Sequence, residues 1–102
     1  MKHTSNKRSQ LMKAEEIAVV VTTSHRGVFF GYTSNIKGDV ISLRRARNCI
    51  YWREIRGFLG LAATGPNKEC RVGPPVDIEL HDITCVAKCT KEAVVEWEKG
   101  YW

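Results

Sequence analysis

Arginine and aromatic side chains in the middle of the chain are the residues whose chemistry could support a function. Between positions 25 and 72 there are nine basic residues against three acidic ones, a net charge of +6, and seven of the nine are arginines. Arginine binds phosphate through two parallel hydrogen bonds and also stacks on aromatic rings. This composition favours a binding site for an anion that carries a planar ring.

The candidate binding site lies mainly on residues 44–56. We expect four arginines to hold phosphate groups and Tyr51 to stack on a base, while Trp52 belongs to the core. The phosphate-binding arginines would be Arg44, Arg45, Arg47 and Arg53, and the full candidate set adds Arg26, Tyr32, Asn48 and Tyr51. The alternative is a solvated arginine face that pairs with acids of a neighbouring copy. The hypothesis requires guanidinium groups that converge on a solvent-accessible concavity instead of pairing with internal carboxylates.

Motifs for catalysis are absent from the sequence. Gly60 and Gly65 have the spacing of the first half of a P-loop, but Pro66 and Asn67 stand where Lys and Ser or Thr are required. The nucleophile elbow and the zinc-protease helix are missing as well. We therefore expect a protein that is not an enzyme and needs no cofactor.

The cysteines give little sign of a metal site. Of the four, only Cys85 and Cys89 approach the spacing of a zinc-ligand pair. Residues four apart on a strand share a face. With Ile83 and Ala87 between them, that face has the pattern of ordinary core. We expect no metal, and reduced thiols, because the sequence has no secretory signal.

Length and composition describe one small basic globular domain. The chain has 102 residues, 43% of them hydrophobic and 26% charged, with a formal net charge of +5. Residues 1–16 are predicted to be a flexible basic tail and residues 17–102 a single domain. No apolar run reaches the roughly 18 residues of a membrane span. We expect a cytoplasmic protein that does not bind membranes.

Hydrophobic patterning predicts a mostly β fold. Residues 17–23, 27–33 and 40–43 are rich in β-branched and aromatic residues and are separated by turns, which predicts three strands. Residues 44–56 either continue the third strand after a bulge near Arg44 or begin a helix. The pattern of residues 77–89 predicts a last long strand, which is bent at positions 81 and 82.

A helix is predicted from Lys91 to Lys99, capped by Thr90 and turning Ala93, Val94 and Trp97 inward. About five antiparallel strands followed by a helix predict an α+β, mostly β fold. The pattern resembles a curved sheet or a small open barrel of the Sm or SH3 type. Residues 73–102 carry a net charge of −3. Because this region is opposite in charge to the basic middle, we expect a homo-oligomer.

Three runs carry a family resemblance: HRGVFFGY at 25–32, ARNCIYW at 46–52 and GLAATGP at 60–66. Together they resemble a family of small uncharacterised proteins encoded by bacteriophages, over roughly residues 17–99. The resemblance implies a phage accessory protein that acts in the bacterial host cytoplasm, and it raises the prospect of an anti-defence role.

These observations lead to three functional hypotheses. In the first, the protein sequesters an anionic nucleotide immune signal, such as a cyclic nucleotide or a cyclic ADP-ribose-like molecule, without cleaving it. In the second, the same basic face binds RNA or DNA, with an affinity that falls steeply as salt rises. In the third, the protein inhibits a host protein by direct contact and binds no nucleotide or nucleic acid.

Overall fold

The computed structural model describes residues 15–24, 27–52 and 57–99. These residues form six strands and two helices, which confirms the predicted α+β, mostly β class with a C-terminal helix. No described helix is long and apolar enough to cross a membrane. The order along the chain is β1 (Ile17–Thr23), β2 (Val28–Thr33), β3 (Ile41–Tyr51), α1 (Gly57–Ala63), β4 (Arg71–Val72), β5 (Val76–Leu80), β6 (Ile83–Lys88) and α2 (Lys91–Lys99).

The strands form one open antiparallel sheet in the order β4, β3, β2, β1, β6. β5 also pairs with β3, and it lies end to end with β4 along the same side of that strand. Only His81 and Asp82 separate β5 from β6, yet the two strands pair with β3 and β1, which have β2 between them. The sheet must therefore curve strongly. The bend falls where the sequence predicts it, and Asp82 there adopts φ 57°.

The described residues build a hydrophobic core on each face of the sheet. The helices cover the first, the helix-side core, in which the rings of Phe30 and Trp97 stack with centroids 5.1 Å apart. The second, the concave core, draws residues from β1, β3, β5 and β6 and fills the curve of the sheet. Val20 faces the helix-side core, whereas Val19 and Val21 face the concave core. Burial on both faces explains the unbroken apolar run in β1.

β3 remains a strand through Tyr51, so the alternative of a helix from residue 44 is wrong. Leu43 and Ala46 both face the concave core although they are three residues apart. The pairing with β5 shifts between these two residues, and Arg45 adopts φ 53°. This confirms the bulge predicted near Arg44. Beyond the bulge, alternate residues that follow Ala46 lie on the concave side.

α2 begins with the predicted cap. The backbone N–H of Ala93 donates to Oγ1 of Thr90 at 3.1 Å. The same hydroxyl donates to the carbonyl of Ala63 at 2.6 Å, so the cap also ties α2 to the end of α1. Ala93, Val94 and Trp97 are buried, as predicted.

The predicted core face of β6 needs correction. Cys85 is exposed, Ile83 packs on the concave core and Ala87 packs on the helix-side core. The reason is a second irregularity, because the pairing of β6 with β1 shifts between Thr22 and Thr23. That shift turns Ile83 away from the face that Cys85 and Ala87 share.

Candidate functional site

The first charged contact near the bulge joins Arg44 to Glu16, the residue before β1. Arg44 donates from Nε to Oε2 of Glu16 at 2.9 Å and from Nη2 to Oε1 at 2.8 Å. Its guanidinium carbon lies 5.4 Å from the centroid of the Tyr32 ring. The hydrogen bonding to Glu16 raises the pKa of Arg44. Arg44 therefore engages a carboxylate of its own chain with the two-bond geometry that a phosphate would use.

Glu98, near the C-terminal end of α2, is the second carboxylate at the bulge. It accepts a hydrogen bond from Nη2 of Arg45 at 2.8 Å through Oε1, and from the hydroxyl of Tyr32 at 2.6 Å through Oε2. Burial and this hydrogen bond raise the pKa of Tyr32 above its ordinary value. The backbone N–H of Arg45 donates to Oδ1 of Asp77 at 2.9 Å. These contacts hold the bulge against α2 and β5.

Arg47 is the most buried of the described arginines, with 9% of its surface exposed. Its Nη1 donates to the carbonyl of Gly73 at 2.9 Å, and its Nε lies 3.8 Å from Oε1 of Glu98 without a hydrogen-bond partner among the described residues. Burial lowers the pKa of Arg47. We call the whole set the arginine network; its members are Glu16, Tyr32, Arg44, Arg45, Arg47 and Glu98.

The arginine network does not present the predicted site to solvent. Four candidate residues, Tyr32, Arg44, Arg45 and Arg47, do come together, but each points at a protein group. Tyr32 is fully buried, so its ring offers no stacking surface for a base. The required concavity of unpaired guanidinium groups is not formed by the described arginines. Arg26 and Arg53 lie outside the described residues.

The other two candidates lie past the bulge. Asn48 is exposed on the concave side of β3, and Tyr51 is exposed at the end of the strand, opposite Arg71 of β4. Trp52 packs against the helix-side core, as expected. The described candidate residues thus divide into an internally bonded group before Asn48 and an exposed pair from Asn48 onward.

A cleft of about 490 Å³ opens beside Arg44 and is lined mainly by residues of β2, β3 and β5. Its volume is within the range of small-molecule sites. Among the described residues, its lining carries three carboxylates, Glu16, Asp77 and Glu79, and one cation, Arg44, together with the hydroxyls of nearby Ser and Thr residues. A phosphate placed there would meet more negative than positive charge.

A second depression, of about 250 Å³, lies at the open end of the concave core; we call it the apolar groove. Ile50 and Val76 are 59% and 54% exposed at this groove. The alternation along the strand places Ile50 on an apolar face. It does not show that the side chain remains exposed on that face. The lining is Phe29, Ala46, Asn48, Ile50, Gly73, Pro74, Val76 and Ile78.

Cys49 and Cys89 have the properties of unreactive thiols. Burial raises the pKa of Cys49 to about 12 and that of Cys89 to about 12, which keeps both thiols protonated and weakly nucleophilic at neutral pH. Within the part of the chain that the structure describes, no group of three or more His, Cys, Asp or Glu side chains could hold a metal ion.

Fold and site together define a small β-rich domain whose strongly curved sheet is covered on one face by helices, and in which Arg44, Arg45 and Arg47 contact groups of their own chain. The chain belongs to a family described as Domain of unknown function (DUF6948), whose family model matches residues 16–97. This supports the expectation of an uncharacterised family. No curated protein and no solved structure matches the chain significantly.

Proposed function

We propose that this protein is a non-catalytic binding protein that contacts another protein through the apolar groove. The observation that carries the proposal is the exposure of Ile50 and Val76, each more than half exposed, beside a depression. Of the described residues that line this depression, Asn48 alone has a polar side chain. Exposed apolar surface gathered around a concavity is typical of interaction sites. Covering these two side chains would contribute on the order of 1–3 kcal/mol to binding.

The size and chemistry of the groove favour a protein partner over a free nucleotide. Small-molecule sites usually enclose about 300–1,000 Å³, and this groove encloses about 250 Å³. None of the described residues that line it has a charged side chain to bind a phosphate. An aliphatic or aromatic side chain that projects from a partner surface fits such a groove, and Asn48 offers a hydrogen bond at its edge.

The resemblance to phage-encoded proteins adds a finer part to this proposal. In this part, the partner is a bacterial host protein. Binding inhibits that protein and so protects the phage from host defence. The argument for this part is the set of three sequence runs at 25–32, 46–52 and 60–66.

Nucleotide sequestration and nucleic-acid binding stay predictions that the geometry favours less. Arg44 and Arg45 could hold phosphates only by exchanging their internal carboxylates for them. Glu16 and Glu98 would then lose the charged partners that lie 2.8 Å from them. A partly buried carboxylate without its cation costs several kcal/mol, so the ligand would have to supply that energy first.

The experiment is site-specific photo-crosslinking in host lysate, with the reactive amino acid at position 50 and, as a control, at position 59. Leu59 on α1 is 61% exposed and lies outside the lining of the groove. We expect one protein to be captured at position 50 and not at 59. The same purified protein should bind the wild type and the Leu59→Asp variant but not Ile50→Asp.

Titration of the purified chain with cyclic nucleotides and with RNA completes this test. Two results together would overturn the proposal in favour of the first hypothesis. One is saturable binding of a nucleotide that is lost in Arg44→Ala. The other is partner capture that is the same at positions 50 and 59.

A further inference from the structure

β5 and β6 are both edges of the sheet. Among the described residues β5 pairs with β3 alone and β6 pairs with β1 alone. The backbone groups on the other side of an edge strand can pair with a strand of another chain. We infer that β5 of one copy pairs with β6 of the next, so that the sheet continues from molecule to molecule. This inference does not depend on the proposed function.

Charge distinguishes this pairing from the pairing of β5 with the β5 of a second copy. β5 carries Asp77 and Glu79, both exposed, whereas β6 has no acidic residue and ends at Lys88. Pairing β5 with another β5 would bring four carboxylates side by side, and like charges on paired strands are destabilising. Pairing β5 with β6 avoids this repulsion and places a lysine near the acidic strand.

The apolar side chains favour the same arrangement. Ile78 of β5 and Val86 of β6 are both partly buried against the concave core. In a sheet that runs on from β5 to the next molecule's β6, these side chains lie on the same face. The concave core then extends across the junction.

The hydrogen bonding of β6 shows which of its backbone N–H groups remain available to pair with a neighbouring molecule. The N–H of Cys89 donates to the carbonyl of Ala18 at 2.9 Å. Since backbone groups alternate in direction along a strand, the N–H groups of Cys85 and Ala87 also point towards β1. Those of Val86 and Lys88 point outward. An association of β5 with β6 uses two different surfaces, so it builds a ring or a filament.

The first test compares Lys88→Pro with Lys88→Ala in the full chain, by light scattering after size exclusion and by sedimentation. Both variants remove the lysine charge, but only proline removes the outward N–H, and proline is tolerated in edge strands. We expect the wild type and Lys88→Ala to have a mass that is a multiple of the 11.6 kDa of one chain. Lys88→Pro should shift to the mass of one chain.

Amide hydrogen exchange gives a second readout that does not need a variant. In the assembled wild type the amides of Val86 and Lys88 should be as protected as those of Cys85 and Ala87, and dilution should remove the protection of the first pair alone. A wild type that remains a single chain at the highest concentration reached overturns the inference. So does an assembly in which Val86 and Lys88 exchange freely or which Lys88→Pro leaves intact. Ile50→Asp should assemble normally, so a failure here is distinct from a failure of the groove.

Discussion

The arginines of the network and Ile50 of the apolar groove lie on the same strand, β3, and they differ in what their side chains do. The arginines lie at the bulge or next to it, and Ile50 lies farther along the strand. Arg44, Arg45 and Arg47 carry the charge that attracts attention in the sequence, but their guanidinium groups contact protein acceptors. Ile50 carries no charge and is 59% exposed. The comparison shows that a residue type indicates a functional site only when the contacts of its side chain in the folded protein are known.

The arginine network joins parts of the chain that are far apart in sequence. Arg44 contacts Glu16 before β1, Arg45 contacts Glu98 in α2, and Arg47 contacts the carbonyl of Gly73 between β4 and β5. All three contacts begin at the bulge or next to it. The arginines therefore fix the bulged strand against the rest of the domain, and the role is one of stability.

Removing the shared carboxylate should produce the largest effect. Glu98→Ala leaves Arg45 and Arg47 without this carboxylate and the Tyr32 hydroxyl without its acceptor. Glu98 is 11% exposed, so we expect a loss of roughly 2–4 kcal/mol in the free energy of unfolding, measured by urea denaturation. Glu92→Ala, an exposed glutamate in the first turn of α2, is the control and should cost less than about 1 kcal/mol. Equal losses in the two variants would show that the network is not a stabilising unit.

Tyr32→Phe should change how stability depends on pH. The pKa of Tyr32 is raised in the folded protein, mainly by burial and next by Glu98, from an ordinary value of 10.0. Below that pH the phenol is protonated in both states. Above it the unfolded chain loses the proton first, so the free energy of unfolding falls by up to about 1.4 kcal/mol per pH unit for this group.

We therefore expect Tyr32→Phe to be about 1–2 kcal/mol less stable than the wild type at neutral pH, through the lost hydrogen bond. The difference should shrink as pH rises above 10, the ordinary pKa of the phenol. Cys49 and Cys89, whose pKa values are also raised, affect both proteins equally. Denaturation curves across this pH range test the expectation, and a constant difference between the two proteins would contradict it.

Much of the fold could be predicted because its signals are local. The change of phase between Leu43 and Ala46 predicted the bulge, and Thr90 before an amphipathic stretch predicted the capped helix. The bend at positions 81 and 82 was predicted from the same kind of pattern. The two-residue strand β4 escaped prediction because Arg71–Val72 is too short to show alternation.

The site could not be predicted in the same way, because its decisive contacts are long-range. Arg44 and Glu16 are 28 positions apart, and Arg45 and Glu98 are 53 positions apart. No local pattern pairs such residues. The exposure of Ile50 was hidden for the same reason, since the strand pattern shows which face a residue is on but not whether another element covers it.

Substitutions at Arg45 can separate two contributions to stability, that of the backbone conformation at this residue and that of its ion pair with Glu98. Arg45 adopts φ 53°, a left-handed conformation that glycine adopts freely and alanine does not. Arg45→Gly and Arg45→Ala both remove the contact with Glu98. We expect Arg45→Ala to be less stable than Arg45→Gly by about 1 kcal/mol, measured by thermal and urea denaturation. If alanine proves equally or more stable, the bulge does not hold this conformation in solution.

Ile50→Ser should have the smallest effect on stability and sharpens the comparison from the side of the groove. Replacing a buried isoleucine in a core costs several kcal/mol, but Ile50 is 59% exposed and its loss leaves little cavity. We expect the free energy of unfolding to change by less than about 0.5 kcal/mol. Leu43→Ser, on the same strand but 2% exposed, is the matched control and should be severely destabilised. The same Ile50→Ser protein should no longer bind the partner that crosslinking at position 50 captures. A variant that keeps its fold and loses only this contact assigns Ile50 to recognition, whereas a large loss of stability would return it to the core.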